Sequence, residues 1–345
     1  MVAQVIRNVF SDKLSTKYQG IVQNLANKAP IPIRHFDFKF NPAELDQKFF
    51  LNKELATSYF HALSIFLTFG EDVVIETARH HREFINDPIL KQRLTSLIGQ
   101  EAIHSKIHNQ FNDEVLKENG YPVELLRAIA DKVFEYGIYK LPHSMQLSLM
   151  AGIEHYTAVL AEFMMQHEEY LLGSQDERQR AMWMWHMLEE SEHKDIAYDV
   201  FLELSGDYWV RITGFLLASL TILGGVSLGG YLMPFIRKPS NLINPRYMKD
   251  VLESTALLFG SERGVFGSER GVFGSERGVF GSERGVFGSS FMHILEYLRP
   301  SFHPNDHDTT KYMEYYKERL LNPETGLLSP YFLKEFVPPV RAASA

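Results

Sequence analysis

The chain has 345 residues, enough to bury a sizeable core in roughly one to three domains. Its formal net charge of −8 is spread along the chain, and no basic patch is interleaved with aromatic residues, which argues against nucleic-acid binding. It contains no cysteine, which excludes disulfides, thiolate metal sites and cysteine nucleophiles, so any metal must be bound by histidine and carboxylate side chains.

The N-terminal residues 1–40 form a polar, slightly basic lead-in in which Pro30 and Pro32 interrupt any helix. The first part, from Met1 to Lys17, contains charges and lacks the apolar run of a secretory signal, so we predict no signal peptide. We therefore expect a cytoplasmic protein. Association with the inner membrane is kept as an alternative because of an apolar segment farther along the chain.

Helical periodicity dominates the next part of the chain. Strand-like alternation is rare, so we predict an all-α fold. Pro88, Gly120, Pro122 and Pro142 mark boundaries between successive helices. The predicted helices cover residues 41–85, 89–119, 123–140, 145–172 and 176–204, and we assign residues 41–206 to one bundle domain.

The last of these helices carries His186, Glu190 and His193. At about 100° per residue, steps of four and three place these side chains within roughly a 60° arc of one helical face. Two imidazoles and a carboxylate on one face suit a transition metal better than they suit a hydrophobic core. By the same arithmetic, Glu101, His104 and His108 share a face of an earlier helix.

Each Glu-x-x-His helix is preceded by an apolar helix with an acidic residue in mid-run. These residues are Glu71, within Phe66–Ile75, and Glu154, within Leu149–Ala158. The order Glu, Glu-x-x-His, Glu, Glu-x-x-His is that of the carboxylate-bridged dimetal sites in ferritin-like bundles. We therefore predict a ferritin-like four-helix bundle with a dimetal-carboxylate core. The predicted metal ligands are Glu71, Glu101, His104, Glu154, Glu190 and His193; Glu101 and Glu190 bridge or chelate, and the two histidines cap the metals.

Residues 212–236 are an uncharged run of 25 residues, flanked by Arg211, Arg237 and Lys238. As a helix it would be about 37 Å long, enough to cross a bilayer. Its glycines and Pro234 weaken a helix but are tolerated in membranes. We assign residues 207–240 to an apolar helix that is either buried against the bundle or embedded in a membrane, and the sequence favours neither alternative.

Residues 260–287 are four identical copies of Gly-Ser-Glu-Arg-Gly-Val-Phe within a C-terminal region, 241–345. Two glycines per repeat argue against a coiled coil, so we predict an expanded surface loop, with a β-roll or self-association element as the alternative. The tail then presents His303, Asp306, His307 and Asp308 as candidate metal ligands. A helix N-cap near Thr309 is the simpler interpretation of Asp308.

Five short segments carry a resemblance to a known protein family. They are Phe69-Gly70-Glu71, Gln100-Glu101-Ala102-Ile103-His104 with His108, Ile153-Glu154-His155-Tyr156-Thr157-Ala158, Glu190-Ser191-Glu192-His193 and Pro300-Ser301-Phe302-His303-Pro304. In these segments the chain resembles the bacterial family catalogued as predicted metal-dependent hydrolases, from about residue 40 to 310. The resemblance implies a metal-dependent hydrolase with a ferritin-like fold. The heptapeptide copies depart from that pattern.

The spacing of His186, Glu190 and His193 is also similar to that in diiron p-aminobenzoate N-oxygenases, which implies that His186 is a seventh metal ligand. His108 competes with His186 for that role, although a hydrogen bond to a ligand is its expected function. Asp72 or Glu76 could replace Glu71. His155 points about 100° away from Glu154 and is expected in the core or at the surface. Asp195 and Asp199 are candidates to orient the imidazoles or belong to a solvated face.

Histidine and carboxylate ligation without sulfur favours iron or manganese, so we expect two metal ions, Fe/Fe or Fe/Mn, ahead of zinc. The main functional prediction is a diiron oxidoreductase of the oxygenase type that activates O₂ on a small apolar or amphiphilic, lipid-like substrate. The alternative is a hydrolase with a metal-activated water. Iron storage is a weaker interpretation because about 140 residues follow the bundle. The sequence allows a homodimer.

Overall fold

The computed structural model of the chain describes residues 28, 30–50, 52–167, 176–259, 290 and 293–340. Helices dominate these residues, and the strands among them form one two-stranded sheet, so the predicted all-α class is confirmed. The α-helices are α1 (Glu54–Arg82), α2 (Pro88–Phe111), α3 (Val123–Tyr136), α4 (His143–Gln166), α5 (Glu177–His193), α6 (Ile196–Leu204), α7 (Tyr208–Ser219), α8 (Gly225–Arg237), α9 (Pro245–Phe259) and α10 (Thr310–Leu321).

Helix α1 begins later than the predicted residue 41. A 3₁₀ turn occupies Pro42–Glu44, and Asn52 has a φ of 55°, which is incompatible with a continuous helix. Helix α2 begins as predicted after Asp87, whose Oδ1 accepts hydrogen bonds from the backbone N–H groups of Ile89 and Leu90, each 2.8 Å long. Side-chain capping therefore sets the start of α2, whereas Lys53 at the start of α1 makes no side-chain capping bond.

Two predicted helices are interrupted. The segment 89–119 is α-helical only to Phe111 and continues as a π-helix over Asn112–Lys117. The segment 176–204 breaks after His193 into α5 and α6. At the break, Asp195 accepts hydrogen bonds from Arg93 Nη2 and Asn305 Nδ2, both at 2.8 Å, and pairs with Lys28. These long-range partners hold the break in place.

Four helices surround the centre of the molecule. Helix α1 packs against α2 and α4, and α5 packs against α4 and α2. All the side chains predicted as metal ligands belong to these four helices, so the ring of contacts determines where they meet.

A short sheet that periodicity did not predict covers one side of this ring. Strand β1 (Ile33–Phe36) pairs antiparallel with β2 (Phe332–Phe336), with Ile33 opposite Phe336. Strand β1 also packs on α2, and it places the buried Arg34 against α5. The sheet therefore joins residues near both ends of the described chain to the bundle.

The apolar segment forms one continuous helix, Tyr208–Arg237, in which a π-helical stretch (Leu220–Gly224) links α7 to α8. Helix α7 packs closely on α4 because glycines lie at the contact. A Cβ atom on Gly214 would lie 2.6 Å from the backbone carbon of Ser148, and one on Gly152 would lie 3.2 Å from Phe215 Cα. The N-terminal part is tied down further by the buried Arg211, whose Nη2 donates to the carbonyl of Arg299 at 2.7 Å.

Within the described residues, Tyr208–Arg237 is long and apolar enough to cross a membrane, but only 28% of its most apolar window is buried in the protein. The helix thus packs on α4 and α1 with part of its surface and exposes Leu216, Leu220, Leu228 and Leu232. Both alternatives for 207–240 remain predictions, as do the other domain boundaries. The repeats at 260–287 lie outside the described residues.

Candidate metal centre

All seven side chains predicted as ligands point into the four-helix ring. None is more than 3% exposed. Ionisable groups at this depth need partners, because an isolated buried charge is strongly unfavourable. Helix α1 supplies Glu71, α2 supplies Glu101 and His104, α4 supplies Glu154, and α5 supplies His186, Glu190 and His193.

The donor atoms form two adjacent groups. The first contains Glu101, His104, Glu190 and His193, and the second contains Glu71, His108 and His186; within each group the donor atoms lie within 4.8 Å of one another. His186 Nε2 lies 2.9 Å from Glu190 Oε1, which brings the two groups into contact. This arrangement offers two neighbouring positions for cations.

Many of these donor atoms are buried without a hydrogen-bond partner, which costs about 1–3 kcal/mol for each ordinary polar group and more for a charged one. Coordination to cations would satisfy these atoms together, and an all-nitrogen-and-oxygen donor set suits transition metals. The residues present therefore fit metal ions. The unpartnered atoms are His104 Nδ1, His186 Nε2, His193 Nε2, both Glu71 Oε atoms, Glu101 Oε1 and Glu190 Oε2.

His104 is oriented by an ion pair on its far side. Its Nε2–H donates to Glu189 Oε2 at 3.0 Å, and Glu189 Oε1 accepts from Arg34 Nη1 at 2.9 Å. The other nitrogen, Nδ1, faces Glu190 Oε1 at 3.6 Å and Glu101 Oε2 at 3.8 Å. A carboxylate that fixes the tautomer of an imidazole is a recurrent feature of metal sites. The sequence pattern did not identify Glu189 or Arg34, because they approach His104 from other elements.

His193 is held in the same way by Glu154. His193 Nδ1–H donates to Glu154 Oε2 at 2.8 Å, and Nε2 lies 3.1 Å from Glu101 Oε1. Glu154 thus reaches the centre through an imidazole and belongs to neither donor group. Its predicted direct ligation stays a prediction, and orientation of His193 is the role that its contact supports.

A chain of hydrogen bonds orients His186. Asn112 Nδ2 donates to the backbone carbonyl of Ser64 at 3.1 Å, so Asn112 Oδ1 accepts from Ser64 Oγ at 2.8 Å. Ser64 Oγ then accepts from His108 Nδ1, and His108 Nε2 accepts from His186 Nδ1, each at 2.8 Å. His186 Nε2 is left unprotonated and faces Glu190. His108 therefore lies behind His186, where its hydrogen-bonding role was expected.

The electrostatics of the cluster reflect burial and mutual repulsion. Burial, reinforced by the charge of Glu101, raises the pKa of Glu71 well above its usual value. Burial would lower the pKa of His193, but the carboxylates of Glu154 and Glu190 outweigh this effect and raise it. The cluster therefore retains protons at the positions where divalent cations would neutralise it.

The alternatives to Glu71 are disfavoured by position. Asp72 and Glu76 are exposed, whereas Glu71 is 3% exposed. His155 was expected in the core or at the surface, and it lies in the core. Its Nε2–H donates to the carbonyl of Ile294 at 3.2 Å. The geometry therefore favours Glu71 and leaves His155 outside the centre.

Asp195 and Asp199 do not orient the imidazoles of the centre. Asp195 binds Lys28, Arg93 and Asn305, as noted above, and Asp199 Oδ1 accepts from His303 Nε2 at 2.9 Å. They lie beyond the end of α5, two and six residues after His193, and there they bind residues of the tail.

The candidate ligands in the tail, Asp308 and His307, have different surroundings. Asp308 Oδ1 accepts from the backbone N–H of Thr310 at 3.0 Å; Asp308 lies one residue before Thr309, which is the N-cap of α10. His307 instead joins Glu162 and His293 in a partly exposed group of potential donors. This group is separate from the buried centre.

The fold and the site define an all-α protein with a buried cluster of imidazoles and carboxylates suited to two metal ions. Comparison with known families gives the same class. The model of a family described as predicted metal-dependent hydrolase matches residues 32–308, so the chain belongs to this family. No curated protein and no solved structure matches the chain.

Proposed function

We propose that the chain is a dinuclear metal-dependent hydrolase. The observation that carries the proposal is the set of unpartnered, fully buried donor atoms on α1, α2 and α5, in a chain whose family is described as predicted metal-dependent hydrolase. Bound metal ions would supply an activated water and would polarise the bond to be cleaved. His104, His186 and His193, together with Glu71, Glu101 and Glu190, are the proposed ligands.

The surrounding side chains prepare these ligands. Glu189, Glu154 and His108 each accept the outward N–H of one imidazole, so the inward nitrogen is the one that would bind a metal ion once any proton on it is released. The Arg34 guanidinium fixes Glu189 in turn. The chain's own contribution is thus a rigid, dry set of donors that does not need to reorganise when cations bind.

A second candidate is a diiron or iron–manganese oxygenase in a ferritin-like bundle. It is favoured by the chemistry of the donor set, in which carboxylates and imidazoles on α1, α2 and α5 occur without sulfur, and this set suits iron or manganese. Iron in this centre would supply O₂ activation. Zinc would supply only the hydrolytic chemistry, so the metal distinguishes the two candidates.

Metal analysis tests the shared part of the proposal. We expect chain purified from medium supplied with iron, manganese or zinc to retain close to two metal ions per chain after gel filtration. A preparation that retains no metal from any of the three media would contradict both candidate functions.

The reaction type is tested on metal-loaded protein. Cleavage of p-nitrophenyl esters that is supported by zinc and unaffected by O₂ identifies the hydrolase. Anaerobic loading with Fe(II), followed by O₂ uptake and a new absorption band, identifies the oxygenase and overturns the hydrolase proposal.

A further inference from the structure

A cavity of about 430 Å³ lies directly beside the candidate centre. It is enclosed by α1, α3, α4 and the long apolar helix, and His186 forms part of its wall. Small-molecule sites typically measure about 300–1,000 Å³, so the cavity has the size of a ligand site. Its contact with His186 makes it the natural position for a substrate of the centre.

The wall of this cavity presents carbon and few free polar groups. Its hydroxyl-bearing side chains are largely engaged elsewhere: Thr157 Oγ1 donates to the carbonyl of Glu154 at 3.2 Å, and Thr221 Oγ1 donates to that of Leu217 at 3.1 Å. A charged or strongly polar ligand group would lose its hydration there without compensation. The cavity therefore suits an apolar part of a ligand. Apolar lining residues include Phe60, Leu63, Phe66, Ile153, Leu160 and Met187.

The cavity opens onto an apolar surface. Ile129 and Val133 of α3, and Leu220 and Leu228 of the apolar helix, line the cavity and are 39%, 45%, 71% and 54% exposed, respectively. Exposed apolar side chains grouped in this way mark sites of interaction with ligands, proteins or membranes. A ligand that entered between them would meet carbon along its whole path to His186.

Two features of the wall leave space that ordinary side chains would fill. Gly70 precedes Glu71, and the nearest atom to a Cβ placed there is Ile153 Cγ2 at 3.8 Å. A Cβ on Gly224 would have Leu220 Cδ1 as its nearest neighbour, at 3.9 Å. Gly224 also ends the π-helical stretch, a type of local distortion that is frequent at functional sites.

We propose that this cavity binds the unbranched aliphatic chain of a lipid-like substrate, with the reacting group at the His186 end and the chain extending toward α3 and the apolar helix. This assignment of the substrate class rests on the proposed function of the centre. Binding is driven by removal of the alkyl chain from water.

Fluorescence titration with cis-parinaric acid, a linear fluorescent fatty acid, tests the proposal. We expect saturable binding to the parent chain and competition by palmitic acid but not by butyric acid. Gly70→Leu and Gly224→Leu add side chains to the cavity from two different helices and should weaken binding at least about tenfold, since each displaces several buried methylene groups. The matched variant Gly70→Ala should stay close to the parent. Equal affinity in the parent and both leucine variants, with folding verified by circular dichroism, overturns the proposal.

The source of the chain is resolved with phosphatidylcholine vesicles that carry the same probe. If the protein sediments with the vesicles and takes the probe from them, a membrane lipid is the source of the chain. If the protein binds only probe that is dispersed in water, the source is a free amphiphile. The proposal stands in both cases and fails if neither form binds saturably. Metal content, measured in parallel, separates the two proposals. Metal-loaded chain that does not bind the probe refutes the cavity assignment alone, and chain that binds the probe but retains no metal from any of the three media refutes the dinuclear function.

Discussion

At the scale of single residues, the centre follows one rule: each imidazole is held from outside by one nitrogen and offers the other nitrogen inward. The sequence predicted the inward-facing groups, because spacing along one helix determines which side chains share a face. It could not predict Glu189 or Arg34 as the groups that hold His104, since those contacts join residues from α2, α5 and β1. Side chains that act across elements leave no periodic signal in the chain.

Glu189→Gln tests this rule. The amide no longer provides a carboxylate to fix the tautomer of His104, so we expect metal affinity to fall about 10–100-fold, measured by competition with a chelator. Glu192→Gln is the matched control, because Glu192 lies on the same helix and also binds Arg34 but does not contact His104. If both variants lose affinity equally, the loss reflects the ion pair in general and not the orientation of His104.

His193→Ala tests the donor assignment itself. We expect this variant to retain at least one metal ion fewer per chain than the parent in elemental analysis, because Nε2 is one of the unpartnered inward atoms. His155→Ala removes an equally buried imidazole that lies outside both donor groups and should leave the metal content unchanged. Two metals bound as tightly by His193→Ala as by the parent would exclude this residue as a ligand.

At the scale of elements, the sequence was most reliable where capping and proline chemistry act locally, as at Asp87–Pro88. It was least reliable where distant contacts decide. The break between α5 and α6 depends on Arg93 and Asn305, which lie far from Asp195 in the chain, and β1 pairs with residues about 300 positions later. The ring of four helices could be predicted from the order of motifs, but the sheet of β1 and β2 that covers one side of it could not.

The close packing of α7 on α4 yields a prediction about stability. Gly214→Val would place side-chain atoms against the Ser148 backbone. We therefore expect the free energy of unfolding to fall by about 1–3 kcal/mol, or by more if the helices separate. Urea unfolding followed by circular dichroism measures it. Gly224→Ala is the control, since its Cβ has free space and alanine favours helix; it should be neutral or slightly stabilising. A neutral Gly214→Val would show that the two helices do not need this contact.

At the scale of the whole molecule, protons and metal ions compete for the same centre. Burial raises the pKa of Glu154, and the carboxylates around His193 outweigh burial and raise its pKa. Both groups therefore bind protons more tightly in the folded metal-free chain than in the unfolded chain. This contribution to stability is complete below the unfolded pKa values and is lost as pH rises through the folded values.

We accordingly expect the metal-free protein to become less stable from about pH 6 to about pH 8. Because metal binding releases those protons, added metal should raise Tm more at the higher pH. Differential scanning calorimetry with and without metal, at both pH values, provides the comparison. His193→Ala should flatten the dependence in the metal-free state. A metal-induced shift in Tm that is independent of pH would mean that the centre is already deprotonated without metal.

The depth of the donor atoms also has a consequence for how the protein matures. No proposed ligand is more than 3% exposed, and Arg34 covers the side of the centre next to α5. The approach that the described residues leave open is the apolar cavity beside His186, where a hydrated ion would lose its water shell among carbon atoms, so we expect metal loading of the folded chain to be slow. We therefore expect ions that are present while the chain first folds to be bound faster than ions added later.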